Sequence, residues 1–286
     1  MSNKILYSPK EAYQKLNNKT AILIDVRDAE EFEKGHIPSA VNIPEMFTTL
    51  SMTTPEGLRE MQDIFIPLFR KAGIRHDQTV IVYENSLNTR YGGSCRGYFQ
   101  LSLLGHQDVG ILDGGLAQWL QEGLPVTTEP AQVTASDFEP VIQNNFIATR
   151  DDVLNAIQPG SGVKLLDNRD EDEWRGVSSS PYGIDFAPRK GRIPGANWIE
   201  WYRFMDSAQP IPHFKSGEEV RALCAQAGLG VDDNIIIYCF KGARASNTFI
   251  ALKIAGFNMI RNYYGSWNEW SRDPVLPIDG EVLAAD

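Results

Sequence analysis

Ile235-Ile236-Ile237-Tyr238-Cys239-Phe240-Lys241-Gly242-Ala243-Arg244-Ala245-Ser246 is the stretch whose reading decides the fold. The β-branched apolar run is too short for a helix and reads as a buried strand. A tight loop with one glycine follows Cys239. Phe249, Ile250, Leu252 and Ile254 then recur with helical period. The stretch therefore reads strand, loop, helix, with Cys239 at the carboxyl end of the strand. Open α/β sheets place their ligand sites there. The first turn of the following helix has orphan backbone N–H groups and a partial positive charge. Lys241 and Arg244 add two cations within five residues of the sulfur. Both effects favour a reactive thiolate, and the N–H groups are suited to hold an anion beside it. The competing reading is an inert buried cysteine, the common fate of a free thiol.

The rest of the chain limits what that thiol can serve. Its 286 residues suit two domains of ordinary size, with 42% hydrophobic and 22% charged residues as in globular proteins. A net charge of −10 gives nucleic-acid binding no electrostatic support. No apolar run approaches the roughly 20 residues of a membrane span. The N-terminal residues have no secretory apolar core, so a cytoplasmic protein is expected. Cys95, Cys224 and Cys239 are too few and too odd in number for a disulfide framework. No Cys-x-x-Cys or His-x-x-x-His spacing occurs, and neither a metal nor a cofactor is expected. The four histidines read as structural or solvated.

The two halves are one unit written twice. Val163-Lys164-Leu165-Leu166-Asp167-Asn168-Arg169 repeats the pattern ending Ile22-Leu23-Ile24-Asp25-Val26-Arg27. Gly191-Arg192-Ile193-Pro194-Gly195-Ala196 matches Gly35-His36-Ile37-Pro38-Ser39-Ala40. Ile235 to Tyr238 matches Val80 to Tyr83, and Gly265 and Trp270 match Gly114 and Trp119. Strands alternating with helices predict an α/β fold, a parallel sheet with helices on both faces in each copy. The expected division is residues 1–127, a Pro/Thr/Ser/Gln-rich linker at 128–143, and residues 144–286.

A feature shared by both copies is expected to be architectural, and a private one functional. Asp25/Arg27 and Asp167/Arg169 are shared and read as a structural pair. Opposite Cys239 stands Glu84, at the head of a connection about four residues longer, so the first domain is expected to be catalytically inactive. The second copy has a private insertion, residues 175–190, whose aromatic and cationic side chains suit either a cleft wall or a solvated loop. Cys224 falls on an apolar helical face with Val220, Leu223 and Ala227, and Cys95 aligns with Ser246 at a helix start.

Over nearly its full length the chain resembles the two-domain rhodaneses, which include thiosulfate and 3-mercaptopyruvate sulfurtransferases. The resemblance rests on Leu23 to Arg27 with Gly35 to Ala40, on their second copies, on Cys239 to Arg244, and on Tyr264-Gly265-Ser266-Trp267-Asn268-Glu269-Trp270. It implies tandem domains with five-stranded parallel sheets, the second one catalytic. It implies that Cys239 takes a sulfane sulfur from a small anionic donor as a persulfide and hands it to cyanide, a thiol or a protein thiol. Phe240, Lys241, Gly242, Ala243 and Arg244 would cradle the sulfur and donor. Lys two places after the cysteine resembles thiosulfate enzymes; a small neutral loop would resemble mercaptopyruvate enzymes. Two departures from the family pattern stand out. Phe240 and Arg244 differ from the mammalian-type loop, and Glu173 occupies the place of a substrate-binding arginine, for which Arg175 is the nearest substitute and Arg189 or Arg192 the reserves. A monomer is expected, since duplication already supplies a domain pair. The competing classes are a Cys-dependent phosphatase, whose loop Cys-x5-Arg is one residue longer, and a non-catalytic sulfur-carrier or binding module.

Overall fold

The computed structural model describes residues 4–206 and 208–280. They form two compact units. The first holds the described residues up to Thr49, then Arg59–Gln143 and Asp206–His213. The second holds Leu50–Leu58, Asn144–Met205 and the described residues from Phe214 onward. Each unit thus includes a short segment from the opposite half of the chain. Residues 128–143, expected as a linker, group with the first unit. There Phe138 is buried with its ring 5.7 Å from that of Phe69, and the Val141 N–H donates to the Leu104 carbonyl.

The first sheet contains β1 (Leu6–Tyr7), β2 (Ala21–Asp25), β3 (Val41–Asn42), β4 (Thr79–Tyr83) and β5 (Val109–Leu112). The second contains β6 (Ile147–Ala148), β7 (Val163–Asp167), β8 (Asn197–Trp198), β11 (Asn234–Tyr238) and β12 (Ile260–Tyr263). Between β8 and β11 in sequence, β9 (Met205–Asp206) and β10 (His213–Phe214) pair as a separate ribbon. The orders are β1-β5-β4-β2-β3 and β6-β12-β11-β7-β8, and every pairing within the two sheets is parallel. The central strands β4 and β11 are buried along nearly their whole length, as parallel strands covered on both faces must be. In β11, alternation sends Ile236 and Tyr238 into a cluster with Leu165, Val153, Trp267 and Trp270. Ile235 and Ile237 face the other way, on the side of the sheet packed by helices Gly217–Gln226 and Ala243–Ile254.

The repeated motifs are architectural. Arg27 folds back on Asp25 and donates onward to the Gly35 carbonyl; Arg169 does the same with Asp167 and Gly191. The Tyr83 and Tyr238 hydroxyls each accept a 3.2 Å bond, from the N–H of Ile37 and Ile193. Both opening helices carry capping boxes, Ser8 with Glu11 and Thr149 with Asp152.

The first unit departs from this symmetry where β4 ends. Glu84 is fully buried, and its carboxyl accepts from the Ser94 N–H (2.9 Å) and hydroxyl (2.6 Å) at the start of helix Gly93–Leu103. Burial pushes the carboxyl up to about 8, although those donors pull the other way. The folded state therefore binds this proton more tightly than the unfolded chain. Its contribution to stability is complete below about pH 4.5 and is lost as pH rises through about 8. Glu84→Gln cannot ionise. Its unfolding midpoint should exceed the wild-type value by several degrees more at pH 9 than at pH 5, a difference that thermal melts of both proteins at the two pH values will measure.

Candidate active site

Cys239 directly follows β11, the central strand of the second unit. The chain runs from β7 out to β8 and returns on the other side of β7 as β11, so the sulfur sits at a topological switch point. Its buried loop is held by the turn after β12. The Cys239 N–H donates to Ser266 Oγ (3.1 Å), the Cys239 carbonyl accepts from the Trp267 N–H (3.0 Å), and the Phe240 carbonyl accepts from the Asn268 N–H (2.9 Å). The loop then turns at Gly242, whose φ is +82°. A Cβ there would lie 2.8 Å from the Tyr264 ring, so only glycine fits. The Gly242 carbonyl accepts from the Ser246 hydroxyl (2.6 Å) and the Asn262 amide (3.3 Å). Helix Ala243–Ile254 begins at once, aiming its N-terminal positive end toward the loop.

Ser266 is a site residue that the sequence pattern alone does not mark. It is a non-glycine residue at φ +53°, whereas its counterpart Gly115 has φ +62°. Such strain in a serine is retained where the side chain has a task. Here the hydroxyl donates to the Tyr263 carbonyl (2.7 Å) while accepting from Cys239.

The first unit repeats this scaffold with a different side chain. The Glu84 carbonyl accepts from the Leu116 N–H and the Asn85 carbonyl from the Ala117 N–H, both at 2.9 Å. Gly92, at φ +80°, opens the helix as Gly242 does. Aligning the helices on these glycines sets Ser94 opposite Arg244 and Cys95 opposite Ala245. Cys95 therefore does not align with Ser246, and the first-unit connection is longer by about five residues. Cys95 and Cys224 are both buried, and burial raises the Cys224 thiol to about 12.

The predicted cations have separate fates. Arg244 is buried and bonds Glu173 through both terminal nitrogens, at 2.5 and 3.1 Å, with Asp170 2.9 Å away. Burial works against its charge, but Glu173, with help from Cys239 and Asp170, outweighs burial and raises the guanidinium well above its usual range. Arg244 and Glu173, which both depart from the family pattern, thus form one arrangement, a cation in the loop and a carboxylate opposite it. Departures of opposite charge at these two positions were the available signal. Lys241 is nearly buried, with Nζ 5.3 Å from the centre of the Tyr182 ring, and Tyr182 lies 5.0 Å from Phe240. The private insertion therefore supplies a wall to the cysteine loop. Arg175 caps the short helix Glu171–Trp174 and pairs with Glu171 at 3.4 Å, a partly exposed contact of little energy. Arg189 donates to the carbonyls of Trp270, Ser271, Asp273 and Leu276, and Arg192 pairs with Asp279 at 2.7 Å under the Trp174 ring. Ala243 lies in the first helical turn beside the sulfur-bearing loop. Among the described residues no cluster of three or more His, Cys, Asp or Glu is arranged to hold a metal, and no helix is long and apolar enough to cross a membrane.

This arrangement can do covalent chemistry at sulfur. A thiol stands at a helix N-terminus, beside a buried guanidinium and a lysine, on a backbone fixed from both ends.

Comparison with known proteins agrees with the geometry. The model of the rhodanese-like domain matches residues 8–122 and again 149–273. The chain is 32% identical to the sulfur carrier protein TtuD of Thermus thermophilus, over 96% of each chain. It is 26% identical to a thiosulfate sulfurtransferase of Azotobacter vinelandii, over 96% of this chain and 97% of that one. Among solved structures it is similar to the 3-mercaptopyruvate sulfotransferase of Escherichia coli, with a TM-score of 0.76 at 21% identity, covering 93% of this chain and 99% of that one. An anaerobic ergothioneine biosynthesis enzyme of Chlorobium limicola shares the fold with a TM-score of 0.79 at 22% identity, over 97% of this chain and 70% of that one. With two matched domains spanning most of its length, the chain belongs to the rhodanese family of sulfurtransferases.

Proposed function

We propose that the protein is a thiosulfate sulfurtransferase acting through a Cys239 persulfide. The observation that carries this reading is the contrast between the two strand ends. In the first unit the helix N-terminus is engaged by the Glu84 carboxyl, an internal acid. In the second unit the same scaffold presents a cysteine, and the equivalent first-turn amides are those of Ala243 and Arg244. Helix N-termini stabilise negative charge, here the charge of a thiolate and then of a persulfide.

In the first step the Cys239 thiolate attacks the outer sulfur of thiosulfate. The S–S bond of the donor breaks, sulfite leaves with the electron pair, and a new S–S bond joins Cys239 to the transferred sulfur. In the second step cyanide or an acceptor thiolate attacks the outer sulfur, and Cys239 leaves as thiolate. This is two-step covalent catalysis with ping-pong kinetics. Lys241 is the cation that meets the donor. Arg244, engaged by Glu173 and Asp170, fixes the loop and adds its charge at a distance. Phe240 and Tyr182 exclude water from the sulfur. The name of the Thermus relative points to a protein thiol as one acceptor.

The phosphatase reading is weakened by the same pair, since the arginine a phosphate would need is already bound to Glu173. A second donor reading has its own support. Glu173 and Asp170 offset the Arg244 charge, which lowers the preference for a dianion and favours a monoanionic donor such as 3-mercaptopyruvate.

Cys239→Ser should abolish sulfur transfer, and Cys95→Ser and Cys224→Ser should leave it within about twofold, since neither buried thiol takes part in the exchange. Intact mass after thiosulfate should show a gain of about 32 Da, one sulfur atom, which Cys239→Ser lacks. A comparison of kcat/KM for the two donors decides between them. Wild type is expected to prefer thiosulfate, and Lys241→Ser to lose thiosulfate activity by about tenfold more than mercaptopyruvate activity, as a lost charge-assisted contact predicts. Glu173→Gln removes a buried negative charge. It should shift the ratio further toward the dianion, read from the same donor pair, with Asp170 still beside Arg244.

A further inference from the structure

The turn that fixes Cys239 is one short helix, Ser266–Trp270. A helix this short has no stability of its own, so its position is set by what holds its side chains. On one side Trp267 Nε1 donates to the Arg189 carbonyl (3.0 Å), and Trp270 Nε1 donates to the Pro277 carbonyl (2.9 Å). On the other side stands Glu269, buried, and the residue that grips it comes from the first half of the sequence. The Thr53 N–H donates to Glu269 Oε1 (2.9 Å), and the Thr53 hydroxyl donates to Oε2 (2.6 Å). The same hydroxyl accepts from the Arg150 N–H (2.9 Å). Leu50–Leu58 belongs to the second unit for this reason among others. Thr53 is itself buried.

The contact lies one short step from the nucleophile. Ser266, Trp267 and Asn268, which take the Cys239 N–H, the Cys239 carbonyl and the Phe240 carbonyl, are the three residues preceding Glu269. Gly265 makes room for this folded-back carboxylate, since a Cβ there would fall 2.0 Å from Glu269 Oε2. The first unit has a similar arrangement. Asp206–His213, from the second half of the sequence, belongs to it, and His213 Nδ1 lies 3.0 Å from Asp113 Oδ1 beside the corresponding Gly114. Only in the second unit does such a segment support a cysteine.

We infer that Thr53, through its two hydrogen bonds to Glu269, is a positioning residue for Cys239, and that the catalytically silent half of the chain completes the catalytic unit by supplying it. Thr53 touches neither sulfur nor donor. It acts by fixing the helix whose N–H groups and Ser266 hydroxyl hold the Cys239 loop. The consequence for turnover rests on the sulfurtransferase reading above; the structural link does not.

The experiment uses full-length Thr53→Val and Thr53→Ser, with two readouts. Amide hydrogen exchange follows Trp267 and Asn268, the donors to the Cys239 and Phe240 carbonyls. Steady-state kinetics with thiosulfate and cyanide gives kcat and KM separately. Thr53→Val should lower protection at those amides and lower kcat, each by about tenfold, the scale of a lost hydrogen bond to a buried carboxylate, with KM within about twofold. Thr53→Ser keeps the hydroxyl and should restore both. Unchanged protection at Trp267 and Asn268 in Thr53→Val overturns the inference, as does a loss spread equally over β4, which marks general destabilisation. If Thr53→Val does not fold, Thr53→Ala is measured by the same exchange, with the same outcomes deciding. Because exchange needs no substrate, an enzyme inactive with thiosulfate sinks the donor assignment and leaves this test intact.

Discussion

Two buried carbonyls at the end of a central strand must find donors, and the rest of the structure follows from how they do. A buried backbone group without a partner costs as much as a lost hydrogen bond. In both units the answer is the same: the turn after the next strand gives two successive N–H groups to the two carbonyls, Trp267 and Asn268 in one, Leu116 and Ala117 in the other. This fixes the backbone that carries residue 239 or residue 84, whatever side chain is placed there. It also requires a left-handed residue just before the donors, met by Gly115 without strain and by Ser266 with it.

With the backbone fixed, the chemistry depends on the side chain and the nearby charges. Glu84 is a carboxyl pushed toward neutrality by burial and partly stabilised by the helix start. Cys239 in the same place has a soft, polarizable sulfur that bonds reversibly to another sulfur. Around it, Arg244 is held in place by Glu173 and Asp170. Lys241 has a long, flexible stem and lies against Tyr182. In the proposed mechanism a rigid cation orders the loop and a compliant one meets the donor, tasks that suit the two residue types.

Much of this was legible in the sequence. The short apolar runs at 79–83, 163–167 and 235–238, the duplicated Asp-x-Arg and the glycine-to-tryptophan motif identify two parallel α/β units, because buried strands and obligatory turn glycines leave local marks. The two-residue strands β1, β3, β6 and β8 left none, being too short for any periodicity. Cys239 was legible because the repeat provided a control, Glu84, that removed the architectural explanation. The partner of Arg244 was hidden, since Glu173 is 71 residues away and reads as one acid among several in Glu171–Trp174. Thr53 carries no mark at all. Its task arises from a contact across 216 residues that only the folded chain brings together.

That last contact bears on why the first half is retained. A duplicated fold could lose its spare copy if each copy were self-sufficient. Here the division by contact does not follow the division by sequence: Leu50–Leu58 folds with the second unit and Asp206–His213 with the first. A buried carboxylate on the helix that supports Cys239 takes both its tight bonds from the first half. Removing that half would leave Glu269 without those donors, and a buried carboxylate stripped of its donors is costly enough to force a rearrangement toward solvent. That change acts on a five-residue helix that has no independent stability. The exchange of segments therefore gives the first copy a physical reason to persist that does not require any chemistry of its own.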